Sequence, residues 1–151
     1  MKASGNTDLG ALLRGVSPRL VAGEYVFCTF PSDQVPGDLL PLCTFQEKEG
    51  TSVVSRRRVA DRLGIPYEGC HRLITLEVRS SLAAVGFLAA IAAELARAGI
   101  ACNAISAFHH DHLLVPSRDA RRALARLRQL LKRQNHRVGP GGPPSAIPRE
   151  T

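Results

Sequence analysis

The sequence predicts an α+β fold of two ferredoxin-like (βαββαβ) modules side by side, the first incomplete or interlocked with the second. Three observations predict it. The 151 residues are 44% hydrophobic, enough to build a core, and the length suits one domain or two small modules. In the first half, short β-branched and aromatic runs are punctuated by glycine and proline. The second half spells strand, helix, strand, strand, helix, the opening of a split βαβ unit. The expected division is residues 1–68, residues 69–137 with a basic last helix, and a disordered tail over 138–151.

In chain order, Asp8–Gly15 reads as a short helix with Thr7 or Asp8 as its N-cap and Pro18 as its stop. Glu24–Phe30 is a strand closed by Pro31, and Pro31–Pro41, with three prolines and a glycine, is a loop. Leu42–Glu47 and Thr51–Ser55 are strands joined around Lys48-Glu49-Gly50, where glycine supplies the positive φ of a tight connection. Arg58–Leu63 is a helix stopped by Gly64 and Pro66. This first unit is less complete than the second, and its missing elements could come from the other half.

The second unit begins with Arg72–Arg79, alternating Leu73, Thr75, Glu77 against Ile74, Leu76, Val78. Ser81 caps a helix running to Ala98 and closed by Gly99. Only Glu94 and Arg97 are charged in that helix, so it must be covered on more than one face. Ile100–Phe108 and His112–Val115 are strands joined around His109–Asp111. From Arg118 to about Arg133, apolar residues recur at three and four positions, which buries one stripe and turns the arginines outward. The Gly/Pro-rich segment from Gly139 reads as disordered.

Charge is unevenly placed. Lys and Arg number 20 against 13 Asp and Glu, a formal net charge of +7. The whole excess lies in residues 118–137, where Arg118, Arg121, Arg122, Arg126, Arg128, Lys132, Arg133 and Arg137 face one acid, Asp119. A basic helix of this kind can hold phosphates nonspecifically. The ferredoxin-like nucleic-acid readers, however, stack bases on exposed sheet aromatics, and HHDHLLVP has none. Nucleic acid is therefore the weaker expectation. The N-terminal residues lack the apolar stretch of a secretory signal. The longest uncharged apolar run, Leu82–Ala93, is shorter than the ~20 residues that span a bilayer. A cytoplasmic protein with no membrane partner is expected. Cys28, Cys43, Cys70 and Cys102 form no CxxC pair and read as reduced thiols.

The strand EYVFCTF, the turn Glu47-Lys48-Glu49-Gly50, the string ITLEVRSSLAAVG (74–86) and the string AGIACNAISAFHHDHLLVP (98–116) resemble a family of small bacterial proteins built from two ACT-type modules. The second half also resembles the ACT modules of cytosolic amino-acid sensors. The resemblance covers roughly residues 8–131. It implies a tandem ACT fold and small-ligand binding, often of an amino acid, at an interface between modules; it does not imply catalysis. A homodimer is a possible partner arrangement.

The βαββα order itself locates a candidate site. The end of the first strand and the turn between the second and third lie at the same sheet edge. Here these are Ser80-Ser81 and His109-His110-Asp111. A helix starting near Leu82 would offer unpaired N–H groups and a positive dipole end to a carboxylate. Asp111 could receive an α-ammonium group. Alternatively, Ser81 only caps its helix and Asp111 only stabilises its turn. Asn103 is counted with the candidate ligand contacts, as are Glu47 and Glu49, which form either a solvated turn or a wall of the site. No nucleophile–base pair accompanies the two carboxylates, so no catalytic residue is assigned. His110 and His112 share a strand face, but a third ligand would have to come from elsewhere and no spacing matches a metal motif. No cofactor or metal is expected. The functional expectation is a noncatalytic, amino-acid-binding regulatory protein. The alternative is a ligand-free interaction module that regulates or scaffolds a partner.

Overall fold

A computed structural model describes residues 5–32 and 34–136; the predicted tail over 138–151 lies outside the described residues. The elements are α1 (Leu9–Gly15), β1 (Ser17–Leu20), β2 (Tyr25–Phe30), β3 (Cys43–Glu47), β4 (Gly50–Arg56), α2 (Arg57–Leu63), β5 (Glu68–Glu77), α3 (Phe87–Arg97), β6 (Asn103–Ser106), β7 (Asp111–Pro116) and α4 (Ala120–His136). Two short 3-10 turns, Gly37–Leu39 and Ser117–Asp119, complete them.

All seven strands join one curled antiparallel sheet in the order β3-β4-β2-β5-β7-β6, with β1 also beside β5. The ten-residue β5 belongs to both halves. Its first residues pair with β2 (Tyr25↔His71), its last with β1 (Leu20↔Ile74 to Ser17↔Glu77), and β7 runs along its other edge. Each half therefore has four strands in ferredoxin-like order: β3-β4-β2-β5, and β6-β7-β5-β1. The fourth strand of the second module comes from the N-terminus, so the modules are interlocked. In the first module the loop after β2 carries only the Gly37–Leu39 turn where the second module has α3.

Three sequence readings are corrected. Pro18 does not simply stop α1; it lies inside β1, paired with Leu76. A proline is tolerated there because β1 pairs only with β5 and its outer edge needs no N–H. The strand predicted from Arg72 begins at Glu68, across Gly69 at φ +68, where the pairing with β2 shifts register. Such a bulge interrupts the alternation that sequence reading depends on. The helix predicted from Ser81 begins at Phe87, with Gly86 as N-cap at φ +86. Ser81 instead holds a tight turn, its hydroxyl accepting from Ala83 N at 3.2 Å and its carbonyl from Ala84 N at 2.9 Å.

The main core lies between the sheet and α1, α3 and α4: Leu12, Ile74, Leu76, Ile91, Leu95, Leu113, Val115 and Leu127 are essentially sealed from solvent. This answers the question of what covers α3, which packs on the sheet, α4 and α1. Val53, Val59 and Leu39 pack under the first-module helix, and Tyr25, Val54, Leu73 and Leu114 form a separate cluster. Burial pushes the thiols of Cys28, Cys43 and Cys102 above the ordinary range, as suits unreactive packing cysteines. No helix among the described residues is long and apolar enough to cross a membrane.

Gly50 closes the β3–β4 hairpin at φ +144, and a Cβ there would sit 2.3 Å from the Phe30 carbonyl oxygen. Both the backbone conformation and the space demand glycine. Gly50→Ala is expected to cost about 2–3 kcal/mol, read as a lowered midpoint in urea with an unchanged m-value.

Candidate ligand-binding site

At one edge of the second module, β5 ends, the chain turns through residues 78–86 into α3, and the β6–β7 hairpin comes back alongside. The N-terminal segment straps this turn: Asn6 N donates to Arg79 O and Ser81 N donates to Asn6 O, both at 3.0 Å. Ser81 N–H is therefore already paired, and α3 does not start near Leu82, where the sequence placed the anion donors. The free donors lie further on. Ala90 N donates to Gly86 O at 3.0 Å, which leaves the amides of Phe87, Leu88 and Ala89 as the unpaired first turn of α3.

Asp111 opens β7 and pairs with Leu76 on one side and Ser106 on the other. The residue is 8% exposed, and its carboxylate accepts from Ser106 Oγ at 2.6 Å. His110 Nδ1 donates to Val78 O at 3.2 Å, since a carbonyl only accepts. Ala107 N donates to His110 O at 3.1 Å and closes the hairpin turn. These bonds fix where the acid sits.

Between them is a cleft of about 70 Å³. Ser80, Ser81 and Leu82 form one wall, Phe87 and Leu88 the α3 wall, and Ser106 and Asp111 the hairpin wall. A carboxylate thus lies across a small cleft from the positive end of a helix, with apolar groups between. That pairing suits a zwitterion: the helix end takes an anion, Asp111 a cation.

Among the predicted residues, the structure brings together Ser80, Ser81, Leu82 and Asp111 at this cleft, with His110 bonded just behind. His109 is exposed, its ring against the edge of Phe108. Asn103 is exposed at the far end of β6, opposite Leu114. Glu47 and Glu49 lie on the β3–β4 hairpin, at the other side of the sheet, where Glu47 accepts from Ser52 Oγ. His112 turns to the other sheet face and meets Thr75 Oγ at 3.1 Å; burial holds its pKa below the ordinary value. Sequence reading missed Ser106, Phe87 and Leu88. Ser106 was findable, because it must pair with Asp111 across a short hairpin.

The chain matches two family models, both described as ACT domain, over residues 4–72 and 70–129. No curated protein matches it. Among solved structures it is similar to a Vibrio cholerae protein of unknown function described as a possible transport protein: 40% identity, TM-score 0.72, covering 82% of this chain and 95% of that one. It is similar in fold to an Agrobacterium tumefaciens protein at 18% identity and TM-score 0.62, over 76% and 88% of the two chains. It also shares the fold of the regulatory subunit of aspartate kinase from Thermus thermophilus in its ligand-free form, at 10% identity and TM-score 0.58, over 78% and 97%. The chain belongs to the ACT-domain family and carries two ACT domains in tandem.

Proposed function

We propose that this protein is a noncatalytic, cytoplasmic regulatory module that binds a free amino acid at the cleft between Asp111 and the start of α3. ACT domains are typically regulatory ligand-binding modules. The observation that carries the amino-acid reading is the buried Asp111 carboxylate, held by Ser106 across the cleft from the unpaired α3 amides. In this reading the α-carboxylate meets the amides of Phe87 and Leu88, the α-ammonium meets Asp111, and the side chain lies along Leu82 and Phe87. At about 70 Å³ the cleft suits a small side chain. Its rim is apolar and exposed: Leu82 is 70%, Val85 83% and Phe108 60% exposed. A second copy of the chain covering that rim would enclose the ligand and form a homodimer. The same rim favours the second reading, an edge that docks a regulated partner and takes no ligand.

A thermal-shift screen of the amino acids separates the two. A ligand at 100 times its Kd stabilises by about 2.7 kcal/mol, a clear rise in Tm. The expected result is such a rise with one or a few small amino acids, abolished in Asp111→Asn, which keeps the shape and the Ser106 partner but removes the charge. A flat screen would leave the partner-docking reading.

A further inference from the structure

Three guanidiniums from two helices converge on one buried carboxylate between α3 and α4. Glu94 is 1% exposed. Its Oε2 accepts from Arg97 Nη2 at 2.9 Å. Its Oε1 lies 2.8 Å from Arg126 Nη2 and 3.7 Å from Arg133 Nη2. Among the described residues none of these three arginines pairs with another carboxylate. One negative charge therefore stands against three positive ones, and the cluster keeps a surplus of two.

The surplus is accessible. Each guanidinium carries five N–H donors, many more than two carboxylate oxygens accept. Arg97 and Arg133 are more than half exposed and Arg126 about a third, whereas Glu94 is sealed, so most of the remaining donors face solvent. Two atoms sealed inside the cluster, Arg126 Nε and Glu94 Oε1, have no hydrogen-bond partner among the described residues. Arg126 and Arg133 are two helical turns apart on one face of α4, and the shared carboxylate holds both toward Arg97 on α3. Glu94 gathers the three guanidiniums between 2.8 and 3.7 Å from one carboxylate, which lowers the rotamer freedom they would lose on binding.

We propose that Arg97, Arg126 and Arg133 form an oxyanion site for a phosphate dianion, separate from the amino-acid cleft and independent of its assignment. Charge selects the ligand class: a phosphate group carries close to two negative charges at neutral pH, equal to the surplus, and a lone carboxylate cancels only half of it. Geometry selects it too. A tetrahedral group presents oxygens in several directions and can accept from three guanidiniums at once, whereas a carboxylate presents one planar pair. The phosphate can be free or the terminal group of a larger molecule.

The test is a titration of the full chain with inorganic phosphate, and separately with adenosine monophosphate, at constant ionic strength maintained with sodium chloride. The expected result is a saturable rise in Tm beyond the chloride control. Affinity should fall about tenfold or more in Arg97→Gln/Arg133→Gln and stay unchanged in Arg121→Gln/Arg128→Gln, which removes the same charge from the outer face of α4. Tighter binding of the nucleotide than of inorganic phosphate would assign the site to a phosphorylated molecule, and equal or weaker binding to the free ion. No rise beyond chloride, or equal loss in both double variants, would overturn the proposal and leave diffuse screening of a basic helix. If the first double variant does not fold, amide chemical shifts of the unaltered chain decide. Saturable changes confined to Glu94–Arg97 and Arg126–Arg133 support the site, and changes spread over the outer face of α4 overturn it.

Discussion

Glu94→Ala is expected to lower the unfolding free energy by about 3 kcal/mol, measured by urea denaturation at neutral pH. Removing one partner of a buried ion pair typically costs about 3–5 kcal/mol, because the other charge is left without compensation. Here the arginines are partly exposed and can turn to water, which places the cost at the lower end. A void left between α3 and α4 adds to it. The pH dependence distinguishes this account from simple truncation. The hydrogen bond from Arg97, helped by the charges of Arg126 and Arg133, holds the Glu94 carboxyl below its ordinary range in spite of its burial. A depressed carboxyl contributes stability that is fully present above its unfolded pKa and is lost as pH falls through the folded value. The unaltered chain should lose this contribution in acid, below about pH 4. Glu94→Gln should lack that part of the acid-dependent loss.

Leu12→Ala is the second large effect. Leu12 is on α1, far in sequence from α3 and α4, yet it is fully buried in the cluster containing Ile91, Leu113 and Leu127. Truncating a buried leucine costs about 2–5 kcal/mol through lost burial and the cavity left behind. The location of the loss matters as much as its size. Because α1 and β1 complete the second module, native-state hydrogen exchange should show protection falling first in β7, α3 and α4, with β3 and β4 less affected. The reverse order would contradict the interlocking of the two modules.

The second module was largely legible because its signals are local. Alternation in RLITLEVR, the 3/4 spacing of Ala123, Leu127, Leu130 and Leu131, and the polar HHD turn each mark an element by themselves. What sequence could not show depended on long-range partners. The residues of β1, SPRL, read as a helix stop because nothing nearby says that they pair with residues 74–77 some sixty positions later. Ser81 read as the cap, but Asn6 takes its amide and the left-handed backbone at Gly86 sets the start of α3. The burial of Glu94 was not legible, since the arginines that justify it lie on α4. That Ser80-Ser81 and Asp111 meet at one edge was legible from the element order. The unpaired α3 amides lie several residues further along than the expected helix start, and Asn103, Glu47 and Glu49 lie away from that edge. The +7 charge resolves into a helix face whose inner side, at Arg126 and Arg133, is tied to a buried acid.

The most direct measurement is a titration of the full chain with amino acids, followed by backbone amide shifts of Phe87, Leu88, Ser106 and Asp111. The expected result is saturable change at these residues with at least one small amino acid, lost in Asp111→Asn. Saturable binding that leaves these four amides unmoved, or that persists unchanged in Asp111→Asn, would contradict the assignment of this edge as the amino-acid site.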